Sequence, residues 1–225
     1  MATVEIFSAE VCPYAHRTRL ALLEKGVDFT LTEIDLKNKP SWFPSVSPYG
    51  KVPAIRHNGQ IVYESAIINE YLDEVFPNPP LMPKDPVRRA QARIWVDYFN
   101  TRYNVISFRL IREIDESKHP ALIKEYYDAL RFMENEGLKK LGSGPFWMAE
   151  GLTLVDLALY PSFERFATLE HYRGVRIPED CARLRRWVET MRERPSVKKI
   201  AHPGSFYVER SAAYAGRPTR AQAAE

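Results

Sequence analysis

The chain has 225 residues, 45% apolar and 27% charged, with a formal net charge of +3 from 32 basic and 29 acidic residues. That composition excludes a wholly disordered chain and leaves room for two small folded domains. Basic residues alternate with acids along stretches such as 183–194, which reads as solvated helix faces rather than a nucleic-acid-binding surface.

The chain starts Met-Ala-Thr-Val-Glu-Ile-Phe, with no basic segment followed by an apolar run, so no signal peptide is expected. No stretch approaches the length of a membrane span, and no membrane partner is expected. Val4 to Phe7 alternates as a short strand. After the break at 8–13 a helical pattern begins at Tyr14, with Pro13 suited to its first position and Gly26 to its C-terminal cap. Phe29 to Ile34 reads as a second strand. Pro40, Pro44 and Pro48 make residues 37–48 a loop with one helical turn. Val52 to Arg56 and Ile61 to Tyr63 are antiparallel strands joined by a tight Asn58-Gly59 turn. Ser65 to Phe76 is a helix with Ile67, Ile68, Tyr71, Leu72 and Val75 on one stripe.

A strand, crossover helix and strand make a parallel pair. A hairpin and helix complete a small α/β layer. This is the order of a thioredoxin-like domain. Five prolines among residues 77–86 then forbid regular structure and mark a linker. Beyond it the pattern is helical, with candidates at 87–116, 121–141, 154–170 and 181–194, and a tail over roughly 204–225 rich in Ala, Arg, Ser and Tyr. Thr153 and Asp156 have capping-box spacing, with Leu152 and Leu157 placed for a hydrophobic staple. Pro161 is expected to kink that helix.

Cys12 carries the sharpest chemical signal. In Cys12-Pro13-Tyr14-Ala15 the thiol falls at a helix N-terminus, where unpaired N–H groups and the helix dipole favour a thiolate. Ala15 stands where a second cysteine would close an internal disulfide, so a mixed disulfide at Cys12 needs an outside thiol to resolve it. The alternative is a buried structural cysteine. Cys12 and Cys181 are the only cysteines, too few for a disulfide framework, and a reducing, cytoplasmic setting is the expectation. Pro53 reads locally as an edge-strand proline. Ser65 can cap the helix it opens, or those N–H groups can bind an anion. His16 is expected to face solvent, and His57 to be exposed beside its turn. No His/Cys/Asp/Glu cluster has ligand spacing, so no metal is expected.

The runs Cys12 to Leu20, Asp35 to Phe43, Gly50 to Ile55 and Ile61 to Glu74, in that order, resemble the cytosolic glutathione transferases, and specifically the cysteine-type omega class. The resemblance implies an α/β plus all-α fold: residues 1–77 a thioredoxin-like glutathione-binding domain, 78–87 a linker, and 88–225 an all-helical second-substrate domain. It implies glutathione as co-substrate and a homodimer. Cys12 would form a mixed disulfide with glutathione, and Tyr14 would lie beside the thiol. Leu36 and Lys39 would line the glycyl end. Val52, held by a cis Pro53, would pair with the cysteinyl part. Glu64 and Ser65 would hold the γ-glutamyl end. Tyr207 and Tyr214, about two helical turns apart, would face the second substrate; the alternative is ordinary core or surface tyrosines. The implied activity is thiol transfer, including deglutathionylation and dehydroascorbate-type reduction. Conjugation of glutathione to electrophiles, or non-catalytic binding of a ligand or protein, are the alternatives.

Overall fold

The computed structural model describes residues 4–148 and 151–215. Strands β1 (Val4–Ser8), β2 (Phe29–Glu33), β3 (Ala54–His57) and β4 (Gln60–Tyr63) form one sheet in the order β2-β1-β3-β4. β1 and β2 are parallel, with Val4 opposite Phe29, and are connected through helix α1 (Pro13–Glu24). β3 runs antiparallel to both neighbours, with Ile55 opposite Ile6 and Val62. Asn58 and Gly59 take positive φ values of 50° and 78°, which two-residue hairpin turns of this twist require. Helix α2 (Ser65–Val75) completes the layer. Gly26 follows α1 at φ 62°, a left-handed C-terminal cap.

Contacts divide the chain into two compact units, Met1–Ala92 with Thr153–Pro161, and Arg93–Leu152 with Ser162–Glu225. The division therefore falls inside α3 (Pro86–Tyr98) and inside α7 (Leu154–Glu164), not at the proline run. The first turns of α7 go with the first unit because Leu154 N donates to Leu81 O at 2.8 Å. Thr153 N–H and its hydroxyl both donate to Asp156 Oδ2, at 2.8 and 2.9 Å, which realises the acidic half of a capping box. α7 carries Pro161 inside it and continues to Glu164.

The second unit is helical. A π-helical turn over Phe99–Tyr103 links α3 to α4 (Asn104–Arg112), so the expected helix from residue 87 is three consecutive segments. α5 (His119–Phe132) likewise passes through a π-helical turn at Met133–Leu138 into α6 (Lys139–Leu141). Gly137 lets two indoles close on the second π turn: a Cβ there would meet Trp147 Cζ2 at 2.7 Å and Trp95 Cζ2 at 2.9 Å. The expected helix from Leu154 to Glu170 is two, breaking at Arg165 before α8 (Phe166–Arg173). α9 (Ala182–Arg192), α10 (Pro195–Ile200) and α11 (Gly204–Ser211) follow; the last two were not distinguished by the sequence pattern.

Within the first unit α1 is buried almost continuously from Ala15 to Leu22. His16 is fully buried, contrary to the expectation of a solvent-facing side chain, because α2 and the sheet cover more than one stripe of this helix. His57 is buried too; Tyr71 OH lies 2.7 Å from its Nδ1 and Phe76 packs on the ring.

Candidate functional site

Cys12 sits between β1 and α1 in extended backbone, φ −83° and ψ 119°, as the N-cap residue of α1. Its N–H donates to Ala9 O, and its carbonyl accepts from His16 N, both at 2.9 Å. With Pro13 at the first helical position, nothing from the side chain caps the helix, so the sulfur lies at the N-terminal end without being consumed by it. The thiol is half-buried, packed against the apolar cluster that includes Phe7, Ala15, Val52 and Ala54. Sγ is 3.7 Å from Val52 O and donates to it. The Val52–Pro53 peptide is cis. Pro53 has no N–H, and β3 begins only at Ala54, which leaves the Val52 backbone outside the strand ladder.

The second part of the site is where α2 begins. Glu64, its N-cap, has φ 69° and ψ 105°, a positive φ that non-glycine residues rarely adopt and that costs about 1–3 kcal/mol. Its side chain is exposed and makes no cap hydrogen bond. Ser65 is the first helical residue and does not cap the helix, as the sequence had suggested it could. Its buried Oγ accepts instead from Arg17 Nε at 2.9 Å and Nη2 at 2.6 Å. Two donors on one hydroxyl oxygen occupy its lone pairs and leave its own proton to donate. Arg17 thus turns Ser65 into a hydrogen-bond donor at the end of α2, beside the free N–H groups of the helix.

Arg17 is a candidate site residue that its place in the sequence does not reveal. It is buried, and its guanidinium lies 5.1 Å from the Tyr14 ring centroid. Burial lowers its pKa from 12.5 to about 10, against the pull of Tyr14, Cys12 and Glu64, which favour the charge. It remains a cation at neutral pH, held between the cysteine end and the α2 end. The available signal was spacing: Arg17 lies three residues after Tyr14, one helical neighbour away. Further along the same pair of helices Thr18 Oγ1 donates to Asn69 Oδ1 at 2.8 Å, and Lys25 Nζ pairs with Asp73.

The remaining first-unit candidates lie on loops. Leu36 is exposed between β2 and a short 3-10 turn at Phe43–Ser45. Lys39 is exposed, and its Nζ lies 3.9 Å from where a Cβ on Gly50 would stand, on the segment leading to Val52. The structure therefore brings Cys12 to Val52, Tyr14 and Ser65 to Arg17, and Lys39 to Gly50.

In the second unit Tyr207 and Tyr214 do not share a helix face. α11 ends at Ser211, so Tyr214 lies in the turn beyond it and is 56% exposed. Tyr207 is buried, its OH donating to Glu164 Oε1 at 2.5 Å and its ring under the Arg165 guanidinium at 4.4 Å. Burial raises the Glu164 pKa above 4.5, partly offset by that hydrogen bond and by Arg165. Cys181 is the N-cap of α9, with its thiol pushed up to about 11 by burial first and by Asp180 and Glu134 next. Among the described residues no group of three or more His, Cys, Asp or Glu is placed to hold a metal, and no helix is long and apolar enough to cross a membrane.

A cysteine beside a cis-proline on a four-stranded mixed sheet, followed by an all-helical region, defines the glutathione transferase fold, a thioredoxin-like domain with a helical one. Residues 11–75 match the family model for the glutathione S-transferase N-terminal domain, and residues 111–190 the model for its C-terminal domain. The chain belongs to the glutathione S-transferase family, whose members take glutathione as co-substrate. It is 37% identical to glutathione S-transferase U24 of Arabidopsis thaliana over 188 residues, covering 83% of this chain and 84% of that one. It is 32% identical to glutathione S-transferase omega-2 of Rattus norvegicus over 200 residues, covering 86% and 77%. The crystal structure of a tau-class glutathione S-transferase from mango superposes with a TM-score of 0.88 at 26% identity, covering 94% and 98%. Relatives thus come from both the tau and omega classes.

Proposed function

We propose that this protein is a glutathione-dependent thiol transferase working through a Cys12–glutathione mixed disulfide. The observation that carries the reading is the half-buried Cys12 sulfur at the N-terminus of α1, facing the Val52 carbonyl. The Cys12 thiolate attacks the glutathionyl sulfur of a mixed disulfide, and the other thiol leaves and takes a proton. A second glutathione thiolate then attacks the glutathionyl sulfur on Cys12, releasing oxidised glutathione and the free enzyme. Deglutathionylation is this cycle directly; dehydroascorbate-type reduction enters it when glutathione adds to a substrate carbonyl as a thiohemiketal and the Cys12 thiolate attacks that sulfur, expelling the reduced substrate, which takes a proton, and leaving the same Cys12–glutathione disulfide. No internal cysteine competes, because Cys181 is buried and held as a thiol.

In this reading Ser65 and the N–H groups of α2 bind the γ-glutamyl carboxylate and Glu64 meets its ammonium group. Val52, with Pro53, pairs with the cysteinyl backbone. Leu36 and Lys39 take the glycyl end, with Tyr14 at the thiol. Residues 1–77 serve as the glutathione domain and 88–225 as the second-substrate domain of a cytoplasmic homodimer. A second reading, conjugation of glutathione to small electrophiles, draws on the tau-class likeness. It needs glutathione bound as a thiolate beside residue 12, with no disulfide formed.

Intact-protein mass spectrometry after incubation with oxidised glutathione tests the two. One adduct, removed by dithiothreitol and absent from Cys12→Ser, supports thiol transfer. An unmodified Cys12, or an adduct only on Cys181, refutes it and favours conjugation or non-catalytic binding.

A further inference from the structure

Cys12 ends a short turn between β1 and α1 that closes through its own N–H, bonded to Ala9 O at 2.9 Å. Glu10 and Val11 are the two corner residues of that turn. Corner residues ordinarily give their main-chain groups to water, yet Glu10 is bound through both of its own. Its N–H donates to Glu33 Oε1 at 2.6 Å. Its carbonyl accepts from Arg19 Nη2 at 3.3 Å. The two partners come from different elements. Glu33 ends β2 and lies opposite Ser8 in the parallel register with β1, just before the turn. The ladder reaches past that pair, since Ile34 N donates to Ser8 O at 2.7 Å. Arg19 lies about two turns along α1 from Cys12, and helical side chains lean back toward the N-terminus, here toward the turn.

Arg17 and Lys25, the other long cations buried on α1, meet side-chain acceptors, Ser65 Oγ and Asp73. Arg19 is buried as well, but among the described residues its hydrogen bond goes to the main chain of the Cys12 turn. Glu33 is exposed and turns its carboxylate to the same residue. Both contacts carry a full charge on one partner, which makes them stronger than the neutral bonds that hold most turns. We propose that Glu33 and Arg19 are positioning residues for the Cys12 nucleophile, fixing Glu10 so that the sulfur is presented at the Val52 carbonyl. The inference rests on Cys12 as the attacking group of the thiol-transfer reading. Both residues act through the backbone. Attack on a disulfide needs the attacking, central and leaving sulfurs in line, and a turn free to shift by about 1 Å loses that alignment. A small diffusible alkylating reagent needs only an accessible thiolate. Positioning therefore separates two reactions of one sulfur.

The test compares those two reactions in the full chain: glutathionyl transfer from the mixed disulfide of glutathione and cysteamine, and alkylation of Cys12 by iodoacetamide. Glu33→Ala and Arg19→Met are each expected to lower kcat for transfer about tenfold, with KM and the alkylation rate held within about twofold of wild type. Glu33→Gln keeps an oxygen acceptor for the Glu10 N–H and is expected to recover most of the loss. Unchanged transfer in both Glu33→Ala and Arg19→Met overturns the proposal. A loss in Glu33→Gln as large as in Glu33→Ala also overturns it, as does an equal fall of transfer and alkylation, which marks general damage. Amide exchange at Glu10, read by NMR, tests the clamp without turnover. Protection in wild type that is lost in Glu33→Ala supports it, and the same exchange in both overturns it. If wild type is alkylated at Cys12 but transfers no glutathionyl group, the thiol-transfer reading has failed, and exchange at Glu10 alone decides the clamp.

Discussion

Replacing Arg17 by methionine should leave the fold standing and weaken glutathione binding. Two opposing effects set the stability change. The drop of the Arg17 pKa from 12.5 to about 10 is the net of burial, which disfavours the charge, and of Tyr14, Cys12 and Glu64, which favour it; it corresponds to about 3 kcal/mol against the charged form in the folded state. Removing the charge removes that cost. Against it stand its attractive contacts, among them the hydrogen bonds to Ser65 Oγ and the contact with the Tyr14 ring, which are together of the same order, about 3 kcal/mol. Methionine fills much of the same volume with no charge to bury. The midpoint of thermal unfolding should therefore move by only a few degrees, since about 1 kcal/mol shifts a chain of this size by about 2–4 °C. Binding has no such cancellation. Without its two donors the Ser65 hydroxyl is no longer oriented as a donor, and the site loses its buried positive charge. Titration calorimetry with reduced glutathione, on a Cys12→Ser background so that no disulfide forms, should show affinity falling about ten- to a hundredfold. Unchanged affinity would refute the assigned role of Arg17. A fall in the midpoint beyond about 10 °C would refute the cancellation and show Arg17 to be chiefly structural.

Glu164→Gln should isolate one titration. Because burial raises the folded pKa of Glu164 above 4.5, its contribution to stability is fully present below that value and is lost as pH rises through the folded value. The unfolding midpoint of wild type minus that of Glu164→Gln should therefore fall as pH rises above 4.5; a gap independent of pH would count against it. Glu64→Gly should relax the backbone at φ 69° and raise the unfolding midpoint or leave it level, while glutathione affinity drops about tenfold or more; a variant that binds as well as wild type would show that the Glu64 side chain does not touch the ligand. Gly137→Ala should destabilise by about 1–3 kcal/mol, because a methyl at 2.7 Å from Trp147 and 2.9 Å from Trp95 must push apart two packed indoles. Chemical denaturation followed by tryptophan fluorescence reads both that loss and the indole shift, and wild-type stability would show the π turn to be soft.

The thioredoxin-like half was legible because its signals are local. Asn58-Gly59 dictates a hairpin, Gly26 a helix end, and Pro13 a helix start just past Cys12, and each stands where the pattern placed it. Candidate site residues on that half could be proposed from the four matching runs, yet the contacts that connect them could not. His16, Arg17 and Thr18 look like solvated polar positions of a surface helix; only the packing of α2 and the sheet around more than one stripe of α1 turns them inward, and that is a long-range fact. In the helical half, periodicity located helices but not their internal breaks. A single π turn carries no turn or proline signature of its own, so Phe99–Tyr103 and Met133–Leu138 pass unnoticed in the pattern. The opposite error befell Tyr207 and Tyr214, whose spacing suggested one helix where the chain has already turned.

If glutathione binds as proposed, the polar links between α1 and α2 make its site a gauge of length. Arg17–Ser65, Thr18–Asn69 and Lys25–Asp73 fix one helix along the other at successive points. The separation between the Cys12 sulfur and the start of α2 is therefore set by the protein, not by the ligand. A tripeptide whose thiol and γ-glutamyl carboxylate match that separation engages both ends at once, while cysteine alone spans only one. The last link also reaches the proline run, because Lys25 donates to Pro79 O at 2.6 Å and Asp73 accepts from Leu81 N at 2.7 Å. A lesion at Lys25 would accordingly be read two helical turns away, as tolerance for thiols of the wrong length.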